Sequence, residues 1–461
     1  MADRRVGWWA AGAVLAAAAL VLTLVAVLAA GRSGDVDGTV AAAAAAAPAF
    51  GVLASGCEPD RVAALRRAGV TTVMTEVQWA DAVPAPDVVD RDYLAAARRR
   101  VATCAGAGMR VVLGLGLQNP PAWVLDLPAA TYVDQFGATT SRAEANLVFS
   151  AAAREAAAAY VRAMTAEVGL DDVAAVRLAG ELGYPGPEDP ASGPSFWAFD
   201  AAAQGGPGLA DGVSPSPLPG WKPAVPTWQG ATVTPEQVAG WYDWYTASLA
   251  GSVVWLAETL RAAGFTGDLH IPLAGRGVLP PDRDEAVAAR LDGTGDPDGA
   301  LGRGLDYPAQ FDVFAELDAR SRTLTPPSRV LVGYTGLDDD TATRARAAEP
   351  GQETCRAGDT PASLAAEGRD RGAAQRWTIA LARAAGLGVV AENPGPPDAP
   401  NTGGSPYSDS EADQMVHAAR YARDCGVEAF YLAFAADLFD PDSGIDVDSY
   451  ARVIAGTEPG R

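Results

Sequence analysis

Residues Val173–Glu181 read VAAVRLAGE, a short run of β-formers and small apolar residues that ends on a carboxylate. A long Pro/Gly/Trp-rich segment follows, Pro185–Gln237, and then an amphipathic stretch from Val238 to Ala263. Strand, loop and helix in that order make one parallel βα unit. The same unit recurs upstream with the runs FGVLAS (Phe50–Ser55), TTVMTEVQW (Thr71–Trp79) and MRVVLGLGL (Met109–Leu117). Their helices are expected at Asp60–Ala68, Asp90–Ala105 and Asn146–Val168. Downstream it recurs with DLHIPLAG (Asp268–Gly275), RVLVGYTG (Arg329–Gly336), LGVVAENPG (Leu387–Gly395) and VEAFYLAFA (Val427–Ala435). Helices follow near Ala309–Arg322, Ala373–Ala385, Ser410–Cys425 and Ile445–Ala455. Strict alternation of eight strands with eight helices predicts an α/β (β/α)8 TIM barrel. A doubly wound sheet would need fewer strands and a Gly-rich phosphate loop after the first, which is missing. Long insertions follow strands four (Pro185–Gln237), five (Arg276–Pro308) and six (Leu337–Gly372), the face on which barrel enzymes build their sites.

Composition narrows the function. The 461 residues hold 35 Lys+Arg against 57 Asp+Glu, a net charge of −22, with 49% hydrophobic residues. Such a chain buries a sizeable core and repels phosphate backbones and anionic lipid, so nucleic acid is excluded as a partner. Two histidines rule out a His-rich metal site and leave little room for a Ser-His-Asp machine. No metal and no cofactor is expected. The acidic run Asp338–Asp340 lacks the spaced ligands of a calcium loop.

The N-terminus supplies an address. Arg4 and Arg5 precede an uncharged, apolar stretch from Gly7 to Gly31. About 20 apolar residues span a bilayer, so residues 1–31 read as one transmembrane anchor, with a cleaved signal segment as the other reading. Residues 32–49 form an Ala/Gly-rich tether and 50–461 a single domain. Both readings export that domain, tethered to the cell membrane or secreted, with membrane contact through the N-terminal helix only. Four cysteines allow two disulfides in three connectivities. Cys104 and Cys425 sit late in helical patterns and read as buried thiols, while Cys57 and Cys355 fall in loops and could pair.

Glu181 ends the fourth strand and Glu392 the seventh, each after a strongly apolar run. Two carboxylates on one barrel rim can hydrolyse a glycoside, one protonating the leaving oxygen and the other attacking or activating water. Each could equally serve a rim salt bridge or a helix cap. Trp79, Trp123 and Trp197 are candidate platforms for sugar rings, because indole stacks on apolar sugar faces. Gln118, Asn119, Tyr184, Tyr334 and Asn393 are candidate hydrogen-bonding partners, with Glu76 and Gln78 beside them. His270 is expected to be a satisfied core histidine.

Three segments in order, PPAWVLDL (Pro120–Leu127), AGELGYP (Ala179–Pro185) and VAENPGPPD (Val390–Asp398), resemble the β-amylase family of barrels. The helix VAGWYDWYTASLAGSVVWLAETL is similar to one in the same chain position of that family. The resemblance implies Glu181 as general acid and Glu392 as general base. Two departures stand against starch as substrate: GLGLQNPPAW replaces the family's mobile loop, and HIPLAGRG lacks its glucan-gripping lysine and tryptophans. VQWADAVPAPDVVDRDYL and PPAWVLDLPAATYVDQFG also look like the retaining β-galactosidase-type clan, where Glu392 would be the nucleophile. That clan usually carries Asn before its acid, where this chain has Gly180; its strand-eight aromatic would be Phe434. Either resemblance implies a glycosidase acting on an oligo- or polysaccharide, neutral rather than anionic given the charge. The rival expectation is a non-catalytic carbohydrate-binding or cell-wall-associated barrel.

Overall fold

A computed structural model describes residues 47–186, 193–296, 299–338, 354–393, 395 and 410–457. The strands β1 (Ala49–Val52), β2 (Thr72–Glu76), β3 (Arg110–Gly114) and β4 (Ala175–Arg177) lie in the first half. They are followed by β5 (Asp268–Leu273), β6 (Val330–Tyr334), β7 (Gly388–Glu392) and β8 (Ala429–Leu432). All pair in parallel in sequence order, and β1 closes on β8 through Ala49↔Ala429 to Val52↔Leu432. The (β/α)8 barrel is therefore present, with each strand inside the run read from sequence except β1, which begins one residue earlier. Ala49, expected as the last residue of the tether, already belongs to β1. The transmembrane anchor expected at Gly7–Gly31 lies outside the described residues, among which no helix is long and apolar enough to cross a membrane.

Helices start where side chains can take up the unpaired N–H groups of the first turn. Asp90 accepts from Tyr93 N ahead of Arg91–Gly106, and Thr234 forms a capping box with Gln237 ahead of Pro235–Ala262. The third helix begins at Ala151, after Ser150, rather than at Asn146. Asn146 instead lends its side chain to the loop, accepting from Phe149 N. Tyr160 on this helix donates to the carbonyls of Val77 and Leu115 at 3.0 and 2.8 Å, tying the helix layer to the exits of β2 and β3.

The barrel interior is filled by Leu53, Met74, Val112, Ala175, Leu331, Val390 and Tyr431. At its lower rim Arg110 pairs with Asp268 at 2.6 Å, and Arg329 grips Glu428 at 2.5 and 2.7 Å. Toward the mouth the lining turns polar, with Arg177, His270 and Glu392. His270 is buried, as expected, and its imidazole meets Tyr431 edge-on.

The cysteines correct both expectations. Cys57 joins Cys104 and Cys355 joins Cys425, with Cα atoms 5.5 and 4.8 Å apart. Each helix carries its cysteine, at or just past its last turn, against a neighbouring loop, so Cys104 and Cys425 are bonded rather than free. The insertion after β4 also differs from an open cleft. Phe196, Trp197 and Trp221 are buried, and Trp221 and Phe196 pack edge-on against Trp241 of the fourth helix at 5.6 Å.

Burial, chiefly, together with Arg110, pushes His270 down to about 4 from its usual 6.5. The unfolded chain then binds a proton that the fold refuses, and stability falls as pH drops through 6.5 toward 4. The expected loss between pH 7 and pH 5 is about 2 kcal/mol from this residue. Urea denaturation of wild type and His270→Gln at both pH values should show a smaller pH dependence in the variant.

Candidate active site

Glu392 is the last residue of β7, and Glu181 lies four residues beyond the end of β4. Both are therefore at the C-terminal mouth. Glu392 is 8% exposed, and Arg177 of β4 holds it with both terminal nitrogens, at 2.9 Å to Oε2 and 2.8 Å to Oε1. The same guanidinium donates to the carbonyl of Gly180 at 2.6 Å, so one side chain positions Glu392 and the backbone leading into Glu181. Burial raises the Glu392 carboxyl above its ordinary range; Arg177 opposes the shift, and the charges of Glu181 and Glu76 add to it.

Glu181 is half-buried and accepts from Thr335 Oγ1 at 3.1 Å and from Arg303. Arg303 comes from the long insertion that follows β5, and Thr335 is the residue directly after β6. Two glycines sit in tight places here. A Cβ on Gly183, whose φ is +147°, would sit 3.1 Å from the Arg303 guanidinium. A Cβ on Gly180 would press on Gln118 at 3.2 Å. Glu144 is a third carboxylate of this group: burial raises its pKa, Arg142 and Arg303 oppose the rise, and Glu181 adds to it.

Among the expected sugar ligands, Gln118 donates to Glu76 at 2.7 Å, as does Gln78. Asn119 is exposed and donates to Gln78 at 2.9 Å. These four form a polar strip along the β2–β3 rim. Trp123 is half-buried beside it, its indole N–H donating to Val83 O at 2.9 Å.

The other candidates need correction. Trp79 is fully buried and stacked on Tyr160 at 5.8 Å, and Trp197 is fully buried under the insertion, so neither presents a face to a sugar. Tyr184 is buried, stacked 4.1 Å from Tyr245, and donates its hydroxyl to the Tyr245 carbonyl. Tyr334 is buried at the end of β6. Asn393 bridges β7 to the end of β8, accepting from Ala433 N at 2.8 Å and donating to Gln414 at 3.1 Å. Amphipathic aromatics and amides serve cores and loops as readily as ligands, and composition does not separate the two uses.

Sequence reasoning missed Arg177, Arg303, Thr335 and Glu144. Arg177 alone had a legible signal, being a charge inside the apolar run VAAVRLAG, where it must find an acid. Removing one partner of so buried a pair leaves an uncompensated charge. Arg177→Met is expected to cost about 3–5 kcal/mol, and Arg177→Met/Glu392→Leu to recover most of it. Urea unfolding of the single and double variants checks this, and a cost below about 1 kcal/mol would place the pair among surface bridges.

No family model matches the chain, and no curated protein does. Among solved structures it is similar to the β-galactosidase of the Antarctic haloarchaeon Halorubrum lacusprofundi, with a TM-score of 0.53 and 18% identity over 88% of this chain and 58% of that one. It is also similar to the β-galactosidase of the psychrophilic Marinomonas ef1, with a TM-score of 0.49 and 15% identity over 87% and 61%. A third likeness is to the β-galactosidase of Bacillus circulans sp. alkalophilus, with a TM-score of 0.48 and 12% identity over 83% and 50%. The chain thus spans only 58–61% of the length of the first two. What it shares with the Halorubrum lacusprofundi protein at such identity is the fold, in this chain a closed parallel eight-stranded barrel.

Proposed function

We propose that this chain is a glycoside hydrolase that cleaves O-glycosidic bonds of an oligo- or polysaccharide, with Glu181 as general acid and Glu392 as base or nucleophile. The observation that carries the reading is the placement of two electrostatically coupled carboxylates on one barrel mouth, the buried one fixed by a bidentate arginine. Glu392 held by Arg177 presents a rigid carboxylate at the barrel axis, suited to attack at an anomeric carbon or to take a proton from water. Glu181, more exposed, would stand at the leaving oxygen. Glu76, Gln118, Asn119 and Trp123 remain as sugar-contacting residues. The neighbouring β-galactosidases support a β-galactosidase-like reading over a β-amylase-like one, and no cofactor enters the reaction. Two disulfides support export, since such bonds persist in oxidising compartments, with the span at Gly7–Gly31 as membrane anchor or cleaved signal.

A second reading has its own observation. Each carboxylate already has an arginine partner, as in a barrel that binds carbohydrate without turning it over. The two readings separate on a panel of α- and β-linked glycosides, with product anomers followed by NMR. Hydrolysis that falls at least about a hundredfold in both Glu181→Gln and Glu392→Gln is expected. Binding without turnover, or turnover indifferent to both changes, would leave the second reading. Because protonation disarms Glu392 and its pKa is raised, the acidic limb of kcat/KM should lie above the ordinary glutamate value of about 4.3. A pH–rate profile on the best substrate measures it.

A further inference from the structure

We propose that a groove on the outer wall of the barrel, between the helices Pro235–Ala262 and Tyr307–Ser321, is an accessory site for a neutral oligo- or polysaccharide chain; this rests on the substrate class proposed above. The groove has a volume of about 540 Å³, in the range of small-molecule sites. Trp244 and Trp255 of the first helix line it, together with residues of the second helix and the loop Asp211–Ser214. The outward face of a surface helix is ordinarily charged. Yet Trp244–Trp255 reads WYTASLAGSVVW, without one charged residue in a chain of net charge −22. Ala247 and Gly251 within it are exposed, and both indoles are half-buried. Eleven positions make close to three turns, so the two indoles leave one side of the helix about 16 Å apart along its axis. Ala247, Ser248 and Gly251 lie between them on that side.

Both indoles are fixed in place. Trp244 donates its N–H to the Ser214 carbonyl at 2.8 Å and stacks on Phe149 at 5.5 Å. Arg154 lies 4.9 Å from the Trp255 ring, itself anchored by donating to the carbonyls of Leu147 and Val148 at 2.8 and 3.0 Å. Aromatic platforms held this way lose little freedom when a ligand binds. The rim supplies groups for hydroxyls: Asp211, Glu258, Glu316 and Arg320. Glu258 and Arg320 are exposed and 3.7 Å apart, a weak pair that a hydroxyl can bridge at little cost. Three carboxylates against Arg154 and Arg320 do not favour an anionic chain. An apolar peptide helix would leave those rim charges without partners, whereas a sugar turns an apolar face to indole and hydroxyls to carboxylate. Trp255 also lines the cavity that contains Glu181, so the groove adjoins the candidate active site. That continuity favours one occupant for both, the chain on which the active site works.

The test is retardation of the full-length protein, in a sugar-free detergent, in native gels cast with soluble β-1,4-galactan, amylopectin or β-glucan. A Glu181→Gln background keeps the polysaccharide from being cut during the run. Retardation by at least one of the three is expected, with affinity about tenfold weaker in Trp244→Ala and in Gly251→Arg. Gly251→Arg fills the groove without burdening the fold, since a Cβ there meets no atom within 4 Å and arginine is the better helix former. Trp255 is left intact because it lines both spaces. No retardation by any of the three overturns the proposal, as does retardation that Gly251→Arg leaves unchanged. A dimer in sedimentation that Gly251→Arg turns into a monomer assigns the groove to a second copy and overturns it as well. Hydrolysis of the same three polysaccharides is scored separately on the protein with Glu181 intact. Binding that both variants weaken, in a protein that cuts none of them, keeps the groove while removing the hydrolase reading.

Discussion

The Arg177–Glu392 pair is the constraint around which the mouth is arranged. It joins β4 to β7 across the barrel, two strands that share no hydrogen bonds, and it does so where the lining changes from hydrocarbon to polar. A charge buried there must be matched, which sets a requirement on the opposite strand. By also gripping the carbonyl of Gly180, Arg177 fixes where the chain leaves β4 and so where Glu181 begins. Glu181 is then held by Arg303 from the insertion after β5 and by Thr335 at the exit of β6. The barrel supplies the axis and the loops supply the aim.

Much of the architecture was legible because each βα unit carries its own signal. Runs such as RVLVGYTG and LGVVAENPG are buried on both faces and read as continuous apolar strands, as parallel sheets require. The positions of Glu181 and Glu392 followed from strand ends, since the mouth of a barrel is defined by the direction of its strands. The aromatic residues did not follow. Trp197 and Trp221 lie in a Pro/Gly-rich insertion that looks open in sequence, yet Trp241 and Tyr245 on the next helix offered them a core. Such long-range packing leaves no periodic trace. Asn393 shows the same limit: beside a rim glutamate it resembles a ligand, but its amide has both a donor and an acceptor, which the gap between β7 and the end of β8 needs.

Cysteine pairing was equally out of reach, because connectivity depends on which helix end meets which loop. The bond between Cys355 and Cys425 encloses a stretch that contains β7 and Glu392. A protease that cut the chain between these two cysteines would therefore not release a fragment. The pieces would travel as one molecule until a reductant reached the bond, and the strand carrying Glu392 would keep a covalent route back to its place in the barrel. If the domain is exported, as proposed, the segment bearing the buried carboxylate is tied into the chain a second time where proteases are abundant and thiols scarce.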